Sequence, residues 1–85
     1  MLEEKKYTLA SGTQVREEDF GLLFYTMQGP RLYFLTCGPL LGSAFFEGKM
    51  TFGEYLKTRR LSADQSFRLG RILYQLREKG VILER

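Results

Sequence analysis

The stretch from residue 15 to residue 36, VREEDFGLLFYTMQGPRLYFLT, limits the possible folds more than any other part of this 85-residue chain. It reads as two strands, near Leu22–Met27 and Leu32–Thr36, rich in Leu, Phe, Tyr and Thr, which suit a pleated surface. Met27-Gln28-Gly29-Pro30 supplies the reversal, because Pro30 fixes its own φ and Gly29 accepts a positive one. The strands do not alternate apolar with polar. Successive side chains point to opposite faces. Leu22 and Phe24 therefore oppose Leu23, Tyr25 and Met27, while Leu32 and Phe34 oppose Tyr33 and Leu35. A small sheet of this kind is greasy on both sides. It needs cover on both faces, or a partner on one.

Helical signals follow the strands. Thr36-Cys37-Gly38-Pro39 stops the sheet, and Pro39 suits the first position of a helix running to about Glu47, with Leu40, Leu41, Ala44 and Phe45 as its apolar stripe and Gly48 after its end. Thr51-x-x-Glu54 reads as a capping box for a short second helix that buries Phe52, Tyr55 and Leu56. Leu61 anchors the linker. Ser62, with Gln65 as its box partner, caps a third helix to about Lys79, which Gly80 ends. Ahead of the strong strands, Tyr7–Ala10 and Thr13–Glu17 form either a hairpin around Ser11-Gly12 or one strand broken there. Val81–Leu83 either packs on the core or adds a short strand. The expected fold is α+β, one domain over residues 1–85. It is a three-stranded antiparallel sheet followed by three helices, in the style of a winged helix-turn-helix.

A chain this short buries only roughly 60–65% of its unfolded surface and cannot easily enclose a deep active site. It has no histidine, so the commonest general base and metal ligand is missing, and with it any Ser-His or Cys-His pair. Cys37 is the single cysteine, which rules out an internal disulfide and a zinc site of the usual type. No metal or cofactor is expected. Cys37 reads either as a core thiol or as a reactive one at a helix start. Glu17, Glu18 and Asp19 form a carboxylate run, which reads as a solvated turn. No run reaches the ~18–20 apolar residues of a membrane span, and the start, MLEEKKYTLA, lacks an apolar secretory core. The expectation is a cytoplasmic protein.

Charge is uneven. Residues 1–20 hold three basic against five acidic side chains, a net −2, and residues 57–79 hold seven against two, a net +5. This reads either as a solvated helical face or as a match to a charged partner. On the last helix, at 100° per residue, Leu69, Ile72, Leu73 and Leu76 converge as a core stripe. Phe67 and Tyr74 fall opposite them, with Arg71 between. Two readings stay open: Phe67 under the preceding loop with Tyr74 on the surface, or an aromatic–Arg–aromatic strip lining a groove for an extended peptide.

Val15-Arg16-x-Glu18-x-Phe20-Gly21-x-Leu23-x-Tyr25, then Arg31-Leu32-x-Phe34-Leu35, and the tail Leu73-x-x-Leu76-x-x-Lys79-Gly80-Val81-Ile82-x-x-Arg85 carry a resemblance. Over residues 15–36 and 69–85 the chain resembles the small peptide chaperones of mycofactocin biosynthesis, within the PqqD-like RiPP recognition elements. The middle, 37–68, is alike only in its helical character. The resemblance implies a non-catalytic domain that binds a ribosomally made precursor peptide and presents it to a radical S-adenosylmethionine enzyme. It implies strand addition at the third strand, here Leu32, Tyr33, Phe34, Leu35 and Thr36, against a wall of Phe67, Arg71 and Tyr74. The basic helix leads one to expect acidic residues in the peptide's leader. The competing reading is a winged helix-turn-helix nucleic-acid-binding protein. Against it, Arg71 is interleaved with aromatic rather than small polar residues, and the acidic N-terminal part repels phosphates. An enzyme is a distant third.

Overall fold

The computed structural model describes residues 2–27 and 31–85; the reversal expected at Gln28, Gly29 and Pro30 lies outside the described residues. In chain order the regular elements are β1 (Tyr7–Leu9), β2 (Thr13–Glu18), β3 (Gly21–Thr26), β4 (Arg31–Leu35), α1 (Phe52–Arg59), α2 (Ala63–Glu78) and β5 (Ile82–Glu84). They form two antiparallel sheets. One has three strands in the order β2-β3-β4, and the other pairs β1 with β5.

This corrects the expected architecture of one three-stranded sheet followed by three helices. Among the described residues there are two α-helices, and the segment expected to form the first of three holds two 3-10 turns instead, Gly38–Leu40 and Ser43–Phe46. The reason is local. Leu41 and Gly42 are extended, at φ −131°, ψ 124° and φ −101°, ψ 156°, which breaks any helix between the turns. The side chain of Tyr55 holds the break open: its hydroxyl donates to the Leu40 carbonyl at 3.0 Å and accepts the Gly42 N–H at 3.1 Å. The Glu17 carboxylate accepts both the N–H and the hydroxyl of Ser43, at 2.9 and 2.8 Å. Phe45 and Phe46, at the end of the second turn, are both buried in the core. The helical trio behind a winged helix-turn-helix is therefore absent from the described residues.

Of the two readings of the segment before the strong strands, the hairpin does not form, and the chain breaks at Ser11-Gly12 into strands of two different sheets. β1 turns away at Gly12 (φ 79°) and pairs with β5, with Tyr7 opposite Glu84 and Leu9 opposite Ile82. Val81 and Ile82 are buried as well, so the tail both packs and pairs. Both capping boxes form: Glu54 N–H donates to Thr51 Oγ1 at 3.1 Å and Gln65 N–H to Ser62 Oγ at 3.1 Å, each with its reciprocal bond. α2 ends on a Schellman motif. Val81 N–H donates to the Leu76 carbonyl and Gly80 N–H to that of Arg77, and Val81 and Leu76 are both buried.

The core sits between the inner face of the three-stranded sheet and the two helices. Leu22 and Phe24 are fully buried there. Phe46 stands edge-on to Phe24, 5.5 Å between centroids at 83°. Leu69, Leu73 and Leu76 of α2 complete it as the expected stripe.

Gly21 is the tightest point of the fold. Its φ is +145°, and a Cβ there would lie 2.1 Å from the Leu35 carbonyl oxygen and 2.7 Å from the Cys37 nitrogen. Both neighbours are backbone and cannot swing away. Gly21→Ala is expected to cost about 3 kcal/mol or more, read as a lowered denaturant midpoint.

Tyr7 gives the fold a pH dependence. Burial pushes its phenol up from 10.0 to about 12, and the Glu84 carboxylate, whose Oε2 accepts the Tyr7 hydroxyl at 3.2 Å, adds to the rise. The folded state keeps this proton where the unfolded chain has lost it. The contribution is thus complete below pH 10 and is lost as pH rises through about 12. An alkaline titration of tyrosinate absorbance should show a late-titrating component that Tyr7→Phe removes, and the same change should flatten stability over that window.

Candidate functional site

β4 is an end strand of its sheet, bordered by β3 alone, whereas the other end strand, β2, lies beside β1 and the Ser43–Phe46 turn. The register sets Leu23 opposite Phe34 and Tyr25 opposite Leu32, and on the other side Arg16 opposite Leu23 and Gln14 opposite Tyr25. These residues share the sheet's outer face. Leu32 is 52% exposed and Phe34 66%. Phe20, with its ring 6.0 Å from that of Phe34, extends the apolar row. A hollow of about 420 Å³ opens on this face, lined by Gln14, Val15, Arg16, Leu23, Tyr25 and Leu32. The greasiness seen in the sequence is therefore covered on one side and bare on the other.

The inner side of β4 is different. Tyr33 and Leu35 point inward and are half-buried, packed against the core. Lys79, at the end of α2, puts its Nζ 5.5 Å from the centroid of the Tyr33 ring, and Arg31 Nη1 donates to the Tyr33 hydroxyl at 3.5 Å. Past the other end of the strand, Arg59 and Arg68 share a hollow with Cys37, Leu61 and Gln65. Arg31 and Lys79 thus place positive charge against the strand itself, while Arg59 and Arg68 lie beyond its end, beside Cys37. Thr36 is exposed just beyond the strand.

The other part of the expected wall lies elsewhere. Phe67, Arg71 and Tyr74 do come together. They line a hollow of about 570 Å³ whose remaining walls are Glu3, Phe52, Leu56, Ser66, Gly70 and Gln75, with no residue of β4. The eight residues expected to form one site therefore fall on two surfaces, the β4 edge and the trough between α1 and α2. Lys79, which caps α2 over the Tyr33 ring, and Arg68, beside Cys37 just past β4, escaped the sequence reading. Their signal was present, since positions 68, 72 and 79 share one side of a helix, but choosing that side requires knowing where the sheet lies.

Cys37 is buried, and that burial raises its thiol pKa. The dipole of a long helix that would lower it is missing, since only a three-residue turn follows. Glu17 is held below the usual carboxylate range by the Ser43 N–H and then by its hydroxyl, and Glu18 accepts from Arg16 Nε at 2.7 Å. Glu17 and Glu18 of the carboxylate run are thus engaged in structure, and Asp19 is exposed. Among the described residues no group of three His, Cys, Asp or Glu side chains is gathered to hold a metal ion, and no helix is long and apolar enough to cross a membrane.

Phe34 and Leu32 support the surface rather than the core. Phe34→Ser and Leu32→Ser are each expected to leave stability within about 0.5 kcal/mol of the parent, the usual range for surface changes, and to lower the fluorescence of a bound hydrophobic dye. No family model, curated protein or solved structure matches this chain.

Proposed function

We propose that this is a non-catalytic peptide-binding domain of the cytoplasm, which takes a ribosomally made precursor peptide as an added strand on β4 and presents it to a radical S-adenosylmethionine enzyme, in the manner of the mycofactocin-type recognition elements that its strands and tail resemble. The observation that carries the reading is β4 itself: an end strand with bare apolar side chains on one face and Arg31 and Lys79 at Tyr33 on the other. An unpaired edge is a liability that proteins normally blunt. A partner strand would satisfy its backbone, and the main-chain bonds would supply affinity that tolerates sequence variation.

The geometry also gives the peptide a pattern. Its residues beside Leu32 and Phe34 point to the outer face and extend the apolar patch, whereas those beside Tyr33 point toward Arg31 and Lys79, which suits acidic side chains. The competing nucleic-acid reading keeps the α1–α2 pair and its arginines, and against it Arg71 stands between the exposed rings of Phe67 and Tyr74 rather than among small polar residues that read base edges.

The experiment is titration of the labelled protein with a synthetic extended peptide that alternates apolar and acidic residues, read by amide exchange and calorimetry. Exchange is expected to slow from Leu32 to Thr36. Lys79→Glu is expected to weaken binding by about 2–5-fold, the range for a partly exposed ion pair, with a smaller difference at high salt. Slowed exchange confined to other elements, or no slowing at all, would overturn strand addition at β4.

A further inference from the structure

The trough between α1 and α2 holds a different kind of opening. Phe67, Gly70, Arg71 and Tyr74 stand at i, i+3, i+4 and i+7 on α2. Four residues at that spacing form the hole that receives one side chain of a facing helix. Gly70 leaves the floor of this hole without a side chain. Phe67, 68% exposed, and Tyr74, 58% exposed, form its rims, and Phe52 and Leu56 supply an apolar back wall from α1. We propose that this trough is a socket for one amphipathic helix of a partner protein, with an apolar side chain seated over Gly70 and an acidic one beside Arg71.

Three observations select that occupant. Both walls are chiefly helical, and a helix uses its own backbone groups internally, so an extended peptide gains no ladder of main-chain bonds there. Helix-in-groove recognition instead reads anchors at the spacing found here. Charge sets the flank. Arg71, on the α2 wall, has no ion-pair partner among the described residues, whereas Arg77, 5.4 Å from the centre of the Tyr74 ring, pairs with Glu78 at 3.4 Å. Glu3 stands on the opposite wall, which suits a neutral or basic residue on the helix's other flank. The socket shares no lining residue with the outer-face hollow beside β4, so both surfaces can be filled at once.

The test uses three synthetic peptides of about 18 residues, long enough to be helical in water when helix-favouring. Two carry Leu at i, i+3, i+4 and i+7, one with Glu and one with Lys beside the Leu row. The third alternates Val and Glu and favours a strand. Fluorescence anisotropy should show the Glu-flanked helix binding more tightly than the Lys-flanked one, and the strand peptide, whose alternation suits β4, should fail to displace it. Phe67→Ala should weaken it about tenfold or more, the scale of an interface hot spot, and Gly70→Leu, which fills the hole, should abolish it. Arg71→Glu should reverse the preference between the Glu- and Lys-flanked helices. Arg71 is exposed, so that reversal remains readable even if Gly70→Leu fails to fold. Equal binding of the two helices, or displacement of the bound helix by the strand peptide, would overturn the proposal. So would a parent protein that sediments as a dimer and becomes monomeric on Phe67→Ala, which would make a second copy the occupant. None of these measurements involves the precursor, so failure at β4 and failure at the socket are separate results.

Discussion

Phe45 holds the separate parts of this small domain together. Its ring centroid lies 4.8 Å from that of Tyr55, 5.4 Å from Phe46, 5.8 Å from Tyr7 and 6.5 Å from Phe52. Those four partners come from α1, from the turn beside it and from β1. Phe46 then passes the contact on to Phe24 in the larger sheet. A domain of this size has little apolar area to distribute, and here much of it is concentrated in one aromatic cluster. Tilted and edge-on ring pairs favour particular orientations. The cluster therefore fixes how the two sheets and the first helix meet, as well as burying area.

That dependence explains which features were legible in the sequence. The capped ends of α1 and α2, the core stripe of α2 and the two-faced character of β3 and β4 follow from nearest-neighbour chemistry, and all of them stand in the structure. The segment from Gly38 to Phe46 did not follow from its own apolar spacing. Its backbone is drawn by Glu17, which is 26 residues before Ser43, and by Tyr55, which is 13 residues after Gly42. Periodicity describes what a segment would do alone, and these bonds come from elsewhere in the chain. The same holds for β1, whose partner was a tail that offered two fates.

The candidate surfaces divide along the same line. That Phe67 and Tyr74 avoid the core was readable from helical phase, and both are exposed. What lies across from them was not readable, because it depends on where α1 and the first residues come to rest. The trough wall formed by Phe52, Leu56 and Glu3 is a product of tertiary packing. Seven basic residues between positions 57 and 79 looked like one face in sequence. In space Lys79 stands over Tyr33 of β4, Arg68 shares a hollow with Cys37, and Arg71 lines the trough.

The small β1–β5 sheet joins positions 77 residues apart, such as Tyr7 and Glu84, and main-chain bonds between Lys6 and Arg85 extend the seam. Closing so long a loop costs about 2 kcal/mol more chain entropy than closing a ten-residue hairpin. Pairings this distant also slow folding. The seam is therefore expected to close after the larger sheet and α2 have formed. Until it closes, β1 is a second bare edge on the molecule. A nascent or truncated chain that ends before Ile82 would carry that edge openly, which makes the tail a guard against wrong strand pairing as well as part of the core.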